Sequence, residues 1–377
     1  MAYADPAAEA RYEVVVIGAG QAGLSLGYYL SKHGLRFTIL DDRPRVGDIW
    51  RSRWDSLRLF TPARYASLPG MRFPAGSWTF PTRGQMADYL ESYASRWRLP
   101  MRTGVTAEAI RPTEDGSAGF LVTAGDEEFK TNQVVVATGG FTMPRMPDFA
   151  GELDSAIVQL HSTEYRNATQ FREGGVLVVG AGNSGAEIAL DAANEHETWL
   201  SGRDPGHAPI RPESPVARVF LPILWLAVNH VLTVDTPMGR RVRPFVRAHG
   251  GPVIRVKPAD LEAAGVQRVS ARTVGVRDGR PMLDDGQVLD VTNVVWCTGF
   301  RHEFGLIRLP VMGADGWPME DHGVVTSAPG LYFVGLPFQR SFASMLIGGV
   351  GRDAAFIAEK IAERAAGRAS GPRATVA

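Results

Sequence analysis

Two stretches of this chain place small residues where a phosphate could rest. Residues 14–17, Val-Val-Val-Ile, run into Gly18-Ala19-Gly20-Gln21-Ala22-Gly23, and residues 176–179, Val-Leu-Val-Val, run into Gly180-Ala181-Gly182-Asn183-Ser184-Gly185. Both are G-x-G-x-x-G at the end of a short, mostly β-branched apolar run, the pattern of a buried strand feeding a helix. The glycines divide the work. Gly18 and Gly180 allow the tight turn, Gly20 and Gly182 admit a diphosphate close to the backbone, and Gly23 and Gly185 let the helix pack on its strand. Helix N-termini, with Gln21 in the first copy and Asn183 and Ser184 in the second, then face the anion. Two such sites in one chain predict two nucleotides brought together, and so a redox enzyme.

The residues downstream of each turn distinguish the nucleotides. After the first, a strand over 36–40 ends at Asp41, roughly 20 residues on, where a carboxylate can accept from ribose hydroxyls; this favours FAD or NAD. After the second, the matching strand over 197–200 ends in Ser201-Gly202-Arg203. A hydroxyl and a guanidinium suit the 2′-phosphate of NADPH, because arginine presents a planar fork to phosphate oxygens. The expected pair is FAD first and NADPH second.

The elements that must hold these residues are spread over the whole chain. With 377 residues, 45% hydrophobic, the chain can bury two cores, and length alone suggests at least two domains. Runs at 133–137 before Thr138-Gly139-Gly140, and at 293–296 before Cys297-Thr298-Gly299, look like buried strands at crossing points between domains. A third apolar run, 331–335 ending at Gly335, would return the chain to the first sheet. The expected fold is therefore α/β, with two dinucleotide-binding Rossmann-like domains and the NADPH domain (146–299) inserted into a split FAD domain (1–145 and 300–377). The small, glycine-rich 341–351 precedes a helix-period segment 353–364, so its free N–H groups could stabilise a reduced, anionic flavin or simply form a packing turn.

Composition narrows the class. Lys+Arg 40 against Asp+Glu 40 gives zero formal charge, which invites neither nucleic acid nor an anionic membrane as a global partner. The first residues carry no secretory pattern, pointing to a cytoplasmic enzyme. The only cysteine, Cys297, rules out an internal disulfide and a dithiol redox pair. His207, His302 and His322 lack metal-ligand spacing, so no metal is expected.

One further pattern is more specific. Phe149-Ala150-Gly151 followed by His161-Ser162-Thr163-Glu164-Tyr165 resembles the F-x-G…H-x-x-x-[YF] fingerprint of the flavin-containing monooxygenase superfamily. The wider chain is similar to YUCCA-type and small bacterial flavin monooxygenases: Gly47-Asp48-Ile49-Trp50 matches GG-x-W, and ATGGF at Ala137, GNSGAE at Gly182 and CTGF at Cys297 fit as well. The resemblance implies a glutathione-reductase-like layout. It also implies a mechanism in which NADPH reduces FAD, O₂ adds at flavin C4a, and the hydroperoxyflavin delivers one oxygen atom to a small substrate, by N- or S-oxygenation or attack on a carbonyl. It would place Trp50 near the flavin, and His161 and Tyr165 in the interdomain linker, governing nicotinamide placement without acting as a base. Two departures stand out. The stretch 54–62 has no asparagine where classical members carry one beside the flavin, and Asp48 replaces the second glycine of GG-x-W, where it binds ribityl hydroxyls, tunes the flavin or faces water. The alternative activity is an FAD-dependent NADPH oxidoreductase or oxidase without oxygen insertion, and a cofactor-binding redox sensor is a third.

Substrate contacts are less legible. The most apolar segment, 219–234, is too short and too interrupted for a transmembrane span; it could be a cavity lid, a homodimer surface or a membrane-touching helix, and its position favours the lid. Phe73 and Trp78, in 65–80, could wall the pocket or join the core. The basic 240–247 reads as a solvated loop or helix end, and the C-terminal tail as disordered.

Overall fold

The computed structural model describes residues 12–114, 119–139, 143–248 and 251–369. The N-terminal residues read for a signal, Gly140 and Phe141 of the ATGGF motif, and most of the tail lie outside them. The architecture is the expected α/β pair of Rossmann-like sheets.

The first sheet holds seven strands: β1 (Tyr12–Ile17), β2 (Phe37–Asp41), β3 (Met101–Thr103), β4 (Ala109–Pro112), β5 (Phe120–Ala124), β6 (Glu127–Val136) and β16 (Leu331–Phe333). Their order is β3-β2-β1-β6-β5-β4, with β16 on β6. The long β6 serves three partners, pairing parallel with β1 over Thr131 to Val136. Its N-terminal half also pairs antiparallel with β5, and its C-terminal half parallel with β16, in the register Val134 opposite Leu331 through Val136 opposite Phe333. Helices α1 (Gln21–Lys32), α3 (Arg83–Arg96) and α8 (Val350–Ala369) cover one face. Helix α8 begins before and runs beyond the helical segment expected at 353–364. Its fully buried Ala354, Ile357, Ala358 and Ile361 recur at helical spacing and pack against α1.

The second sheet is built from β8 (Val158–His161), β9 (Val176–Val179), β10 (Thr198–Ser201), β11 (Gln267–Val269) and β14 (Asn293–Trp296), in the order β11-β10-β9-β14-β8. All its pairings are parallel. Both central strands, β9 and β14, are buried along their whole length, as parallel strands covered on two faces must be. Helix α4 (Asn183–Ala192) and the short α7 (Pro258–Ala263) pack on it. Two small ribbons complete the strands: β12 (Thr273–Arg277) with β13 (Arg280–Leu283), and β7 (Met143–Pro144) with β15 (Phe300–Arg301). The four-residue α2 (Asp48–Arg51) comes after β2.

Between β10 and β11 the chain makes an excursion through α5 (Ala217–His230) and α6 (Pro237–Ala248). It leaves and returns by a narrow neck, where Ala208 N donates to Val253 O at 2.8 Å and Val253 N to Gly206 O at 2.9 Å. The two helices do not rest on the sheet they interrupt. Phe342 N donates to Leu232 O and Val234 N to Arg340 O, both at 2.9 Å, and Arg352 donates to the Asn229 side chain at 3.1 Å, so the turn between them is fastened to the segment leading into α8.

Residues 240–247 are not a solvated loop. They lie within α6, where Arg243 and Arg247 reach Glu320 at 2.5 and 3.0 Å, and the Glu320 side chain is 1% exposed. A carboxylate so far from water requires such partners.

Candidate active site

The two glycine turns are near copies in three dimensions. Gly18 and Gly180 share φ +108°, a left-handed backbone that disfavours any side chain. A Cβ on Gly18 would come within 2.6 Å of Ala137 O, and one on Gly180 within 2.4 Å of Cys297 O, so the strand-end segments 137–139 and 297–299 close beneath equivalent turns. A Cβ on Gly23 would lie 1.9 Å from Gly18 O, and on Gly185 1.8 Å from Gly180 O. Gly20 and Gly182, by contrast, have nothing within 4 Å of the same position. Each is the N-cap of its helix and neither helix has a side-chain cap, which leaves first-turn N–H groups facing open space. Gly139 and Gly299 repeat the match, with φ +76° and +83° and open space beside both.

Strand register also fixes which residues correspond after the turns. Ile17 pairs with Leu40, and Val179 with Ser201. Ser201 thus matches Leu40, and Gly202 matches Asp41. The hydroxyl expected at the cofactor is instead fully buried and bonded to Thr273 Oγ1 at 2.7 Å. Asp41 Oδ2 accepts from Ala19 N in the first turn at 2.5 Å, and Oδ1 from Arg43 N at 3.0 Å. Burial raises the Asp41 pKa, and those two N–H groups oppose the rise. In the second copy Gly202 brings no carboxylate to the corresponding Ala181.

Cations gather there instead. Arg203 is exposed. Arg268, which no sequence pattern singles out, donates to Leu200 O at 3.0 Å, to Gly202 O at 2.5 Å and to Val269 O. Burial lowers its pKa, and Asp204 offsets part of the change. Arg268, Asp204, His207 and Ala181 line a cavity of about 440 Å³ beside the turn. Asn183 spends its side chain on the neck of the excursion, donating to Pro252 O at 3.0 Å and accepting from Ile254 N at 2.9 Å. Ser184 is half-buried in the first turn of α4, as Gln21 and the strand-end Thr138 are in the first copy. Thr298 Oγ1 donates to Arg145 O. Gly335, at φ +88°, lets the chain after β16 pass α1, where a Cβ would come within 2.8 Å of Ala22.

His161 and Tyr165 are both buried and hydrogen-bonded within the protein. His161 is 2% exposed; its Nδ1 accepts from Thr163 N at 3.3 Å, so Nε2 carries the proton and donates to Gly299 O at 3.2 Å. Burial lowers its pKa, keeping the ring neutral. Tyr165 is fully buried, donates to Asp191 Oδ2 at 2.7 Å and stacks on Phe171; burial and Asp191 push its hydroxyl pKa well above the usual value. Asp48 Oδ1 accepts from Arg51 at 3.2 Å, and Arg51 also reaches Asp88 and Glu91, so Arg51 ties α2 to α3 while the acid that replaces a glycine holds it from within α2.

Among the buried polar atoms without a protein hydrogen bond are Trp50 Nε1, Trp54 Nε1, Tyr65 Oη and Glu187 Oε1. Trp54 and Leu57 belong to the core of the second sheet although they come after α2, and Trp50 packs on both cores. Burial raises the Glu187 carboxyl to about 7, with the Arg255 charge and the nearby Trp54 indole opposing it. Tyr65 stacks on Trp225 of α5 at 4.7 Å and meets the edge of Trp78 at 6.5 Å, while Phe73 joins the ordinary core beside Tyr89. The glycine-rich 341–351 packs tightly here, since a Cβ on Gly348 would lie 2.3 Å from Tyr65 O. Asp353, in the first turn of α8, is 3% exposed with Oδ2 unpartnered, and burial raises it to about 6.

An open turn with uncapped N–H groups, a carboxylate at the next strand end and the Trp50 indole, unpartnered at Nε1 and packed on the same core, fit a flavin dinucleotide. The second turn, with Arg203 and Arg268 in place of the carboxylate, fits a dinucleotide bearing an extra phosphate.

Comparison with known proteins agrees. The pyridine nucleotide-disulphide oxidoreductase family matches residues 15–219. An uncharacterized CzcO-like oxidoreductase of Geobacillus kaustophilus (strain HTA426) is 37% identical over 93% of this chain and 98% of its own. A probable indole-3-pyruvate monooxygenase of the YUCCA group from Arabidopsis thaliana is 27% identical over 92% of this chain and 88% of its own. Among solved structures, a flavin-containing monooxygenase from Stenotrophomonas maltophilia superposes with a TM-score of 0.74 or 0.72 in two determinations, at 25% identity, covering 94% of this chain and 99% of that one.

Proposed function

The chain belongs to the pyridine nucleotide-disulphide oxidoreductase family, on its flavin-containing monooxygenase side, and from that premise we propose that it is an FAD- and NADPH-dependent monooxygenase inserting one atom of O₂ into a small organic substrate. In this reading 1–145 and 300–377 hold FAD, and 146–299 hold NADPH. The observation that carries it is the duplicated turn with unlike flanks, Asp41 in one copy and Gly202 with Arg203 and Arg268 in the other. A carboxylate would repel a 2′-phosphate where a guanidinium attracts it.

With a single cysteine the chain has no dithiol pair for disulfide chemistry. Cys297 has no thiol partner, and burial pushes its pKa far up, so it is a poor nucleophile. When bound, FAD would supply hydride acceptance from NADPH and activation of O₂. The chain would supply the surroundings. First-turn N–H groups of α1 and α4 would hold the diphosphates, and Asp41 would accept from a ribose. His161 would keep the Gly299 carbonyl in place through Nε2–H, fixing the segment at the mouth of the second turn. Glu187 Oε1 would hold a proton near neutral pH between the two cores, and Trp225 over Tyr65 would exclude water from above. Small apolar or aromatic substrates with a soft nitrogen, a sulfur or a carbonyl suit such walls.

The test is turnover with NADPH under heavy-isotope O₂, using a panel of amines, sulfides and ketones. A product carrying one labelled oxygen, formed in proportion to NADPH consumed, supports the reading. Hydrogen peroxide matching NADPH consumption with every compound would instead make the chain an NADPH oxidase, the outcome to which the missing asparagine of 54–62 points.

A further inference from the structure

Helix α5 has two faces of opposite character. Inward it sets Trp225 on Tyr65 and buries Val228 and Asn229, the latter held by Arg352. Outward it shows Val216 (62% exposed), Val219 (70%), Ile223 (62%) and Leu226 (62%), a stripe spaced three and four residues apart. Met238, at the start of α6, is also exposed. These side chains are not on a loose lid. The inner face is bonded to the segment leading into α8, and α6 is pinned by Glu320, so the apolar stripe is held out on a fixed base.

The charge on α5 and α6 is mostly positive, and the exposed Glu213 just before α5 is paired with Arg255 at 2.6 Å. Arg218, Arg240 and Arg241 are exposed, and between Ser214 and Ala248 the only carboxylate is Asp235, which faces His322 at 3.1 Å. An apolar face with arginines beside it and almost no acid complements an anionic lipid surface. It does not complement itself. A two-fold dimer would set this patch against its own copy, bringing the exposed Arg218, Arg240 and Arg241 of each copy together with Asp235 as the one carboxylate of the segment to offset them. Nor can α5 cross a bilayer: it has 14 residues, against the roughly 20 a span requires, and no helix among the described residues is long and apolar enough to do so.

We propose that the outer face of α5, with the arginines of α5 and α6, is a docking surface for anionic phospholipid, on which the protein rests without spanning the membrane. The zero net charge of the chain does not oppose this, because the interaction is local to one patch and falls off within a Debye length.

The test is co-sedimentation of the full-length holoprotein with vesicles of phosphatidylcholine alone or with added phosphatidylglycerol. Phosphatidylglycerol should raise partitioning by at least about tenfold, and raising salt to about 1 M, where screening acts within about 3 Å, should remove most of the gain. Ile223→Asp with Leu226→Asp should reduce binding to the phosphatidylcholine level, with flavin content and melting temperature unchanged; both residues are exposed, so folding should survive. Arg218→Glu with Arg241→Glu should abolish the preference for phosphatidylglycerol. Absence of sedimentation with either vesicle, or unchanged binding by the Ile223/Leu226 variant, would overturn the proposal. So would a wild-type dimer in light scattering that this variant converts to monomer, since a second copy would then cover the face.

Discussion

Asp41 and Gly202 stand in matching places one residue past their register partners, and what the second lacks matters as much as what the first carries. Asp41→Ala removes the acceptor at the end of β2 and should lower flavin retention on gel filtration, while leaving NADPH affinity within about twofold, because distant sites act independently. At the other turn, Arg203→Ala should raise KM for NADPH by about tenfold or more, with little change for NADH, the loss of one charge-assisted phosphate contact. Arg268→Ala should do the same and also loosen the Ser201–Gly202 backbone it holds, so its effect should extend to NADH; steady-state kinetics with both nucleotides separates the two. Glu187 makes a different prediction. Its folded pKa is about 7 against 4.5 for an unperturbed glutamate, so its contribution to stability is full below about pH 4.5 and is lost as pH rises through about 7. Glu187→Gln should therefore be more stable than the parent at pH 8 by about 1–3 kcal/mol and show no advantage at about pH 4.5. Chemical denaturation at the two pH values checks the sign, and a constant difference between them would remove Glu187 as the titrating group.

At the scale of elements, α6 is the clearest case of a helix whose place is set far from its own sequence. Glu320, itself buried, gathers Arg243 and Arg247, and it accepts from Gly323 N at 2.7 Å as well. Glu320→Ala would leave two guanidinium groups without their carboxylate, which costs about 3–5 kcal/mol for a buried pair. Faster hydrogen exchange along α6, with β9 and β14 protected as before, is the expected result. This anchor also marks the limit of what the sequence makes legible. The glycine turns, β14 and the return of 331–333 to the first sheet can be read directly, because each is a local pattern: an alternation, a run of β-branched residues or a fixed spacing. The role of Arg240 to Arg247 cannot, since nothing beside those residues announces a carboxylate near position 320. Arg268 escapes for a similar reason, its partners being backbone carbonyls, which every sequence has. Ser201 misleads for a subtler one. Counting from the glycines puts it near the cofactor, but strand register moves the matching position by one and turns its hydroxyl inward.

For the molecule as a whole, the single thiol reports on how far the strand end beneath the second turn is shielded. Cys297 lies on the strand-end segment beneath Gly180, and burial pushes its pKa far up. Cys297 is half-buried, so the native protein should react with a thiol reagent several-fold more slowly than the denatured chain, which takes up one equivalent; equal rates would mean that the strand end beneath the second turn does not shield the thiol. The path of the chain also bears on synthesis. The second sheet is complete once Trp296 has been made, whereas the first begins at Tyr12 and still lacks β16 and the buried face of α8, which supplies Ala354, Ile357, Ala358 and Ile361 to the core beneath α1. A chain emerging N-terminus first from the ribosome would thus be able to finish its inner domain while the outer one waits, its apolar face open to chaperones. The Gly18 turn is made first and finished last.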